Sequence, residues 1–279
     1  MIEKAFAKIN LTLNVVGRRK DGYHELIMIM SPISLCDELL VEAALVDEVV
    51  CSNAELSGEK NIVYKAIKLL KSSYNISQSV KITITKNIPV GAGLGGGSAD
   101  CAAALRALNV LWSLNLSLKE LANIGSTLGA YVPFCIYNRQ ALFSGIGNEI
   151  EFLNSIKGYV VLVIPNTHIS TGVVFENTHK LNMLRMNIDN QLTAVNDNDI
   201  SSLRENLFNN LQDITLELDE TCRKTYEKII LIDDKFMMTG SGSVFFAIYS
   251  DVVLANKITL DLEEQGIKTL QSKLTTEEI

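Results

Sequence analysis

The chain is 279 residues long, 47% apolar and 20% charged, with a net charge of −7. That length holds one large or two modest domains with real cores, and the composition is that of an ordinary globular protein. The acidic balance argues against nucleic acid as the main partner, so a bound phosphate has to be held by local geometry against a repulsive overall field.

No apolar run reaches membrane-spanning length, and Glu3, Lys4 and Lys8 interrupt any signal-peptide core, so a cytoplasmic protein with no membrane partner is expected. Five cysteines (Cys36, Cys51, Cys101, Cys135, Cys222) are scattered, odd in number and without metal-ligand spacing. They are expected to be reduced thiols packed as small hydrophobes.

From Ala5 to Val15 apolar and polar residues alternate, which predicts a strand. Lys8, Asn10, Thr12 and Asn14 share one face, and on periodicity alone that face suits either a solvated surface or a polar cavity. A basic turn, Gly17 to Gly22, leads through Tyr23 and His24 to an apolar strand over Leu26 to Leu35, and a second strand runs from Leu39 to Ala44. Asn61 to Ser72 carries Ile62, Ala66, Leu69 and Leu70 on one stripe and predicts a helix. Val80, Ile82 and Ile84 alternate as a strand, and Ala102, Leu105, Leu108 and Trp112 recur at helical spacing after Ser98.

Between that strand and that helix lies Pro89-Val-Gly-Ala-Gly-Leu-Gly-Gly-Gly-Ser98. A glycine-rich loop opening a helix can surround an anion with backbone amides and the positive end of the helix. Gly91-x-Gly93-x-x-Gly96 satisfies the dinucleotide fingerprint, but the acidic residue expected about 20 residues on is missing, since Leu116 to Ala122 reads as a helix. The P-loop reading fails because no Gly-Lys-Ser/Thr follows. A purely structural turn is the remaining alternative, and phosphate binding is the better reading of so dense a glycine run.

Ser117 and Glu120 have the spacing of a capping box, with Gly129 as a left-handed stop to that helix. A strand through Phe143 and a turn at Gly145 and Gly147 follow. Composition shifts around Asn154 to Gly158, which divides the chain into 1–155 and 156–279. In the second part Tyr159 to Ile164 is a buried strand, Ser170 to Gly172 starts a helix, and 187–202 is loop with a short helix. Leu216 to Ile230 is helical, Phe236 to Tyr249 reads as strand, Gly-Ser turn, strand, and Val252 to Glu264 is a last helix. Strands and helices mix without regular βα alternation, so the fold class expected is α+β.

Three segments, Ala7-Lys-Ile-Asn-Leu-Thr-Leu13, Pro89 to Ala99 and Thr239-Gly-Ser-Gly-Ser243, resemble in order and spacing the three signature motifs of the GHMP small-molecule kinases. Gly17 to Leu26, Asn109-x-Leu-Trp112 and Leu128-Gly-Ala-x-Val-Pro133 extend the likeness towards the branch acting on a cytidine diphosphate-linked methylerythritol. The resemblance implies a two-domain fold, the first domain like that of ribosomal protein S5 and the second ferredoxin-like, with the active site between them. It implies ATP and Mg2+ as cofactors, a small cytidine diphosphate alcohol as acceptor, and a monomer or homodimer. The reaction implied is transfer of the γ-phosphoryl to the acceptor's 2-hydroxyl in the non-mevalonate route to isoprenoids.

Carried over position by position, the ATP site comprises Asn61, Lys86, Pro89, Gly91, Ala92, Gly93, Leu94, Gly95, Gly96, Gly97, Ser98, Ala99, Thr239, Gly240, Ser241 and Gly242. Ser98 would also assist magnesium. Asn10, Tyr23, His24, Thr171 and Phe175 match the substrate end, with Tyr23 and Phe175 sandwiching a pyrimidine. His24 can offer one donor and one acceptor to a base edge. Lys8 is the catalytic lysine. At the position of the family's catalytic aspartate stands Tyr131. A phenol, with a reference pKa of about 10, takes no proton from a hydroxyl at neutral pH. A weakened kinase and a silent nucleotide-binding paralogue are both open on this reading. A GHMP kinase for a sugar, homoserine or mevalonate-like alcohol is disfavoured by the base-sandwiching residues.

Overall fold

The computed structural model describes residues 1–18, 24–145, 149–181 and 185–274. The alternating segment forms β1 (Ile2–Arg18), which pairs antiparallel with β2 (His24–Ala44). Sequence suggests two strands in the second span, but they are one. Pro32, which cannot donate to a ladder, falls opposite Lys8 where the β1–β2 register shifts, so the chain stays extended through it. There follow β3 (Glu48–Cys51), α1 (Ile62–Tyr74), β4 (Ser79–Thr85), α2 (Gly96–Leu111), α3 (Leu118–Ser126), α4 (Val132–Tyr137), β5 (Ala141–Ser144) and β6 (Glu149–Phe152). β4 pairs antiparallel with the later part of β2, from Glu38 to Ala44, with β3 beyond it, and β5 pairs antiparallel with the earlier part, Met28 to Met30, with β6 outside it.

The rest of the chain supplies β7 (Tyr159–Val163), α5 (Thr171–Glu176), α6 (Asp189–Asn196), α7 (Ile200–Glu205), β8 (Phe208–Asn209), α8 (Gln212–Leu218) and α9 (Glu220–Ile229). β9 (Met237–Met238), β10 (Phe245–Tyr249), α10 (Val252–Glu264) and β11 (Thr269–Lys273) complete it. β11, β7, β10 and β9 form an antiparallel sheet in that order. Helices intervene after its first and third strands, which is the split βαβ, ferredoxin-like arrangement. β8 instead pairs in parallel with β1, Thr12 opposite Phe208, and so ties the second half of the chain to the larger sheet. The fold is α+β, as expected.

Local chemistry sets the boundaries. The Ser117–Glu120 capping box forms, with the Glu120 N–H donating to Ser117 Oγ at 3.3 Å and the Ser117 N–H to Glu120 Oε2 at 2.8 Å. Gly129, by contrast, is not left-handed. α3 already ends at Ser126, and the small residue is there for space, because a Cβ would meet Val132 Cγ2 at 3.3 Å. The helix expected over 216–230 is two helices, because Asp219 accepts the Cys222 N–H at 2.7 Å and so caps a new one. Gly145 takes φ +68°, whereas Gly147 lies outside the described residues. Cys51, Cys101, Cys135 and Cys222 are buried and Cys36 is half-buried, and none of the five is in a disulfide. Among the described residues no helix is long and apolar enough to cross a membrane.

α2 is lined by Ala99, Ala102, Ala103, Ala104 and Ala107, all at most 1% exposed. Such short side chains let the helix sit close on β1, which carries its N-terminus up to the polar face of that strand.

Candidate active site

The polar face of β1 is buried rather than solvated, and Lys8 from it lines a cavity while Asn10 lies behind the lining. Lys8 is 1% and Asn10 0% exposed. The pairing of β1 with β2 slips between Phe6 and Lys8 and again between Asn10 and Thr12. Bulges of this kind release ladder amides for other partners. The Lys8 N–H donates to Leu94 O at 3.0 Å, and the Asn10 N–H to Thr239 Oγ1 at 3.0 Å. All three sequence motifs therefore meet on one strand.

Gly91, Gly93 and Gly95 take φ of +65°, +75° and +75°. The requirement is plainest at Gly93, where a Cβ would stand 2.2 Å from Thr239 O. Gly95 is the N-cap of α2 and brings no side chain to bond the first-turn amides. Unpaired N–H groups and the positive end of a 16-residue helix are thus left for an anion. These residues line a cavity of about 580 Å³, within the range of small-molecule and cofactor sites.

Of the residues singled out from sequence, Lys8, Asn61, Lys86, Pro89, Gly91, Ala92, Gly93, Gly95, Gly96, Gly97, Ser98, Tyr131, Thr171, Phe175, Gly240 and Ser241 line this cavity. Leu94 and Ala99 are buried behind it, at 1% exposure each. Thr239 and Gly242 shape the turn that locks against Gly93. Tyr23 lies outside the described residues.

Lys8 carries the most perturbed charge of the site. Its Nζ donates to Asn10 Oδ1 at 2.6 Å and to Gly93 O at 2.5 Å, and stands 5.2 Å from the centre of the Tyr131 ring. Loss of hydration pulls its pKa down to about 7, with nearby Cys135 opposing the shift. Tyr131 is half-buried at the start of α4, its hydroxyl 3.9 Å from Met28 Sδ. Burial pushes that phenol up to about 12, so it stays neutral.

Lys86 is committed elsewhere. Its Nζ bonds the Asp37 carboxylate and, at 2.8 Å, Asp100 Oδ2. Burial works against the Lys86 charge, but Asp100 and Asp37 outweigh it and hold the pKa above the ordinary value. Desolvation lifts Asp100 to about 7, with Lys86 pulling it down and Asp37 pushing it up. Asp37 also accepts the Asn87 and Ile88 N–H groups at 2.6 and 2.8 Å. The triad pins the start of the glycine loop to β2. Asp37 was missed from sequence, where it is one of two adjacent carboxylates, Asp37 and Glu38, between the runs 26–35 and 39–44. Asn61 lines the cavity and caps α1, its Oδ1 accepting the Val63 N–H at 2.8 Å while its Nδ2 donates to Leu56 O at 2.7 Å.

His24, which opens β2, does not line the cavity but sits against Phe175, which does. The Thr178 hydroxyl donates to Phe175 O at 2.7 Å, so its oxygen accepts from His24 Nε2, also at 2.7 Å. Burial and then Arg18 lower the His24 pKa, which favours the neutral ring with Nδ1 as acceptor. The Phe175 ring is 5.1 Å from that of His24, tilted by 49°. Thr171 Oγ1 lies 2.8 Å from Ser241 Oγ. Thr178 and Met28 had no sequence signal: each lies far along the chain from the side chain it meets. His168 was also missed; its ring covers Gly91 so closely that a Cβ there would come 1.9 Å from Cδ2.

The profile of the GHMP kinases N terminal domain matches residues 61–139. A 4-diphosphocytidyl-2-C-methyl-D-erythritol kinase of Bacillus mycoides is 39% identical over 89% of this chain and 88% of its own. A Streptococcus uberis relative, 41% identical over 92% of this chain and 93% of its own, bears the same kinase name in provisional form. The crystal structure of a 4-(cytidine 5'-diphospho)-2C-methyl-D-erythritol kinase superposes with a TM-score of 0.84 at 28% identity, covering 99% of this chain and 100% of that one.

Proposed function

The chain belongs to the 4-diphosphocytidyl-2-C-methyl-D-erythritol kinases of the GHMP family, and from that premise we propose how its own residues carry the reaction. It transfers the γ-phosphoryl of ATP to the 2-hydroxyl of the cytidyl-linked methylerythritol. The observation that carries this reading is the position of Lys8. Its ammonium is locked to the carbonyl of Gly93 inside the phosphate loop, out of bulk solvent.

In this reading residues 1–155 hold the nucleotide and 156–279 close over it. The amides of 95–98 take the triphosphate, and Gly240 and Ser241 face them from the opposite wall. Magnesium would neutralise phosphate charge; phosphates and water fill most of its shell, so the Ser98 hydroxyl is a sufficient protein ligand. At the acceptor end His24 Nδ1 receives the exocyclic amine of cytosine, and Phe175 covers the base. Lys8 faces the reacting hydroxyl, and Asn10 holds the lysine's amine from behind. Positioning and charge stabilisation dominate phosphoryl transfer, so this arrangement works without a carboxylate at position 131, more slowly.

The test is single-turnover phosphorylation of the cytidyl alcohol by the protein and by Tyr131→Asp. The variant is expected to be faster, because a carboxylate is a base at pH 7 whatever the state of its neighbours. No gain would refute the view that Tyr131 limits the chemical step. Tyr131 also favours a second reading, a nucleotide binder without turnover. ATP binding with no ADP formed in the presence of the alcohol would establish it.

A further inference from the structure

We infer that the side-chain amine of Lys8, rather than residue 131, takes the proton from the acceptor hydroxyl in this chain. The inference rests on the kinase reading above and adds the identity of the base.

The geometry leaves few candidates. Tyr131 is neutral and its hydroxyl is turned to Met28 Sδ. Cys135, the other titratable group facing Lys8 from α4, is pushed up to about 12 by burial and is a neutral thiol. Asp100 is bound to Lys86, and Asp37 is engaged by Lys86 and two backbone amides. Among the described residues, no carboxylate lies within ion-pair distance of Lys8 Nζ. Its hydrogen-bond partners, Asn10 Oδ1 and Gly93 O, are neutral acceptors.

A neutral amine has two N–H donors and one lone pair. The two donors match the two acceptors at 2.6 and 2.5 Å, so Lys8 can lose one proton without giving up a protein hydrogen bond. Burial with no anionic partner is the condition under which a lysine becomes a base near neutral pH. A carboxylate at 131 would have the opposite effect, holding the lysine charged and taking the base role itself. Replacement of that carboxylate by a phenol therefore removes one base and releases another.

The step balances. The acceptor O–H bond breaks and its proton forms the third N–H bond on Lys8. The oxygen's electron pair forms the new O–P bond, and the pair of the broken P–O bond leaves with ADP. Lys8 is then an ammonium beside the transferred phosphoryl, where charge has developed, and it returns its proton to water once the products leave.

The experiment is the pH dependence of single-turnover phosphorylation between pH 5.5 and 9, for the protein as it stands and for Lys8→Arg, Lys8→Met and Tyr131→Asp. If Lys8 is the base, the rate rises with pH to a plateau around the lysine's own pKa. Lys8→Arg keeps the cation but cannot give up its proton, so it loses about 10²–10⁴-fold in rate while still binding ATP. Tyr131→Asp moves the rising limb down into the carboxylate range. A rate that falls as pH rises through 7, or Lys8→Arg within threefold of the parent, would mean that Lys8 acts only as a cation; the kinase reading would survive and the base assignment would not. Activity appearing only in Tyr131→Asp would overturn the assignment in the same way. No product from any of these proteins at any pH would overturn both.

Discussion

Gly93→Ala probes the joint on which the site is built. The residue has φ +75°, and an added Cβ would stand 2.2 Å from Thr239 O and 3.1 Å from Gly242 O. Both are backbone atoms with no flexible end to swing aside. Holding an alanine in the left-handed region costs about 1–2 kcal/mol. Moving the loop off Thr239 also sacrifices the bond from Lys8 Nζ to Gly93 O, and hydrogen bonds to charged groups contribute about 1.5–3 kcal/mol. Together these give a destabilisation of about 2.5–5 kcal/mol, or a Tm lowered by roughly 5–20 °C at about 2–4 °C per kcal/mol. On the proposed function the loop supplies the amides that hold the triphosphate, so ATP affinity should fall as well. Thermal melts with and without ATP, run beside Gly97→Ala, are the assay. A Cβ at Gly97 meets nothing within 4 Å and its φ is not positive, so that variant should melt no lower than the parent. If Gly93→Ala melts within 2 °C of the parent and binds ATP equally well, the proposed interlock between the loop and the 239–243 turn is wrong.

Thr178→Val removes the partner that orients His24 and is expected to raise the KM for the cytidyl alcohol about tenfold with ATP affinity unchanged; an equal loss of both would refute the orienting role. Lys8→Met reads the cost of burying that amine. Its folded pKa of about 7 lies below the unfolded value of 10.5, so the folded chain binds fewer protons between those limits and Lys8 makes stability rise with pH across that window. The variant should therefore lack that rise between pH 7 and 10 in urea unfolding, and equal slopes in the two proteins would contradict it. Lys86→Met strands Asp37 and Asp100 in the interior, and removal of one partner from a buried ion pair typically costs about 3–5 kcal/mol. As Asp100 titrates near pH 7, denaturant melts should show a smaller loss at pH 6 than at pH 8.

Local chemistry wrote much of this molecule into its sequence. Alternation predicted β1, helical spacing predicted α1 and α2, the Ser117–Glu120 pair predicted a capping box that forms, and the glycine run predicted a loop with positive φ opening a helix. Each of these depends on neighbours within a few residues, so the chain shows them without help. Where a signal was local but ambiguous, the reading slipped: Asp219 restarts a helix that spacing alone continues, and Pro32 sits inside one long strand because a bulge excuses its missing N–H.

What the sequence could not determine was the electrostatic state of the side chains it named. Lys8, Asn10 and Thr12 alternate as they would on a wet surface. Only the arrival of the 93–95 loop and the 239–243 turn makes that face a buried wall. Lys86 and Lys8 look alike in sequence, yet one is held charged by two carboxylates and the other is surrounded by neutral acceptors. A pKa depends on which groups lie within a few ångströms and how much water is excluded, and both are properties of the folded chain alone.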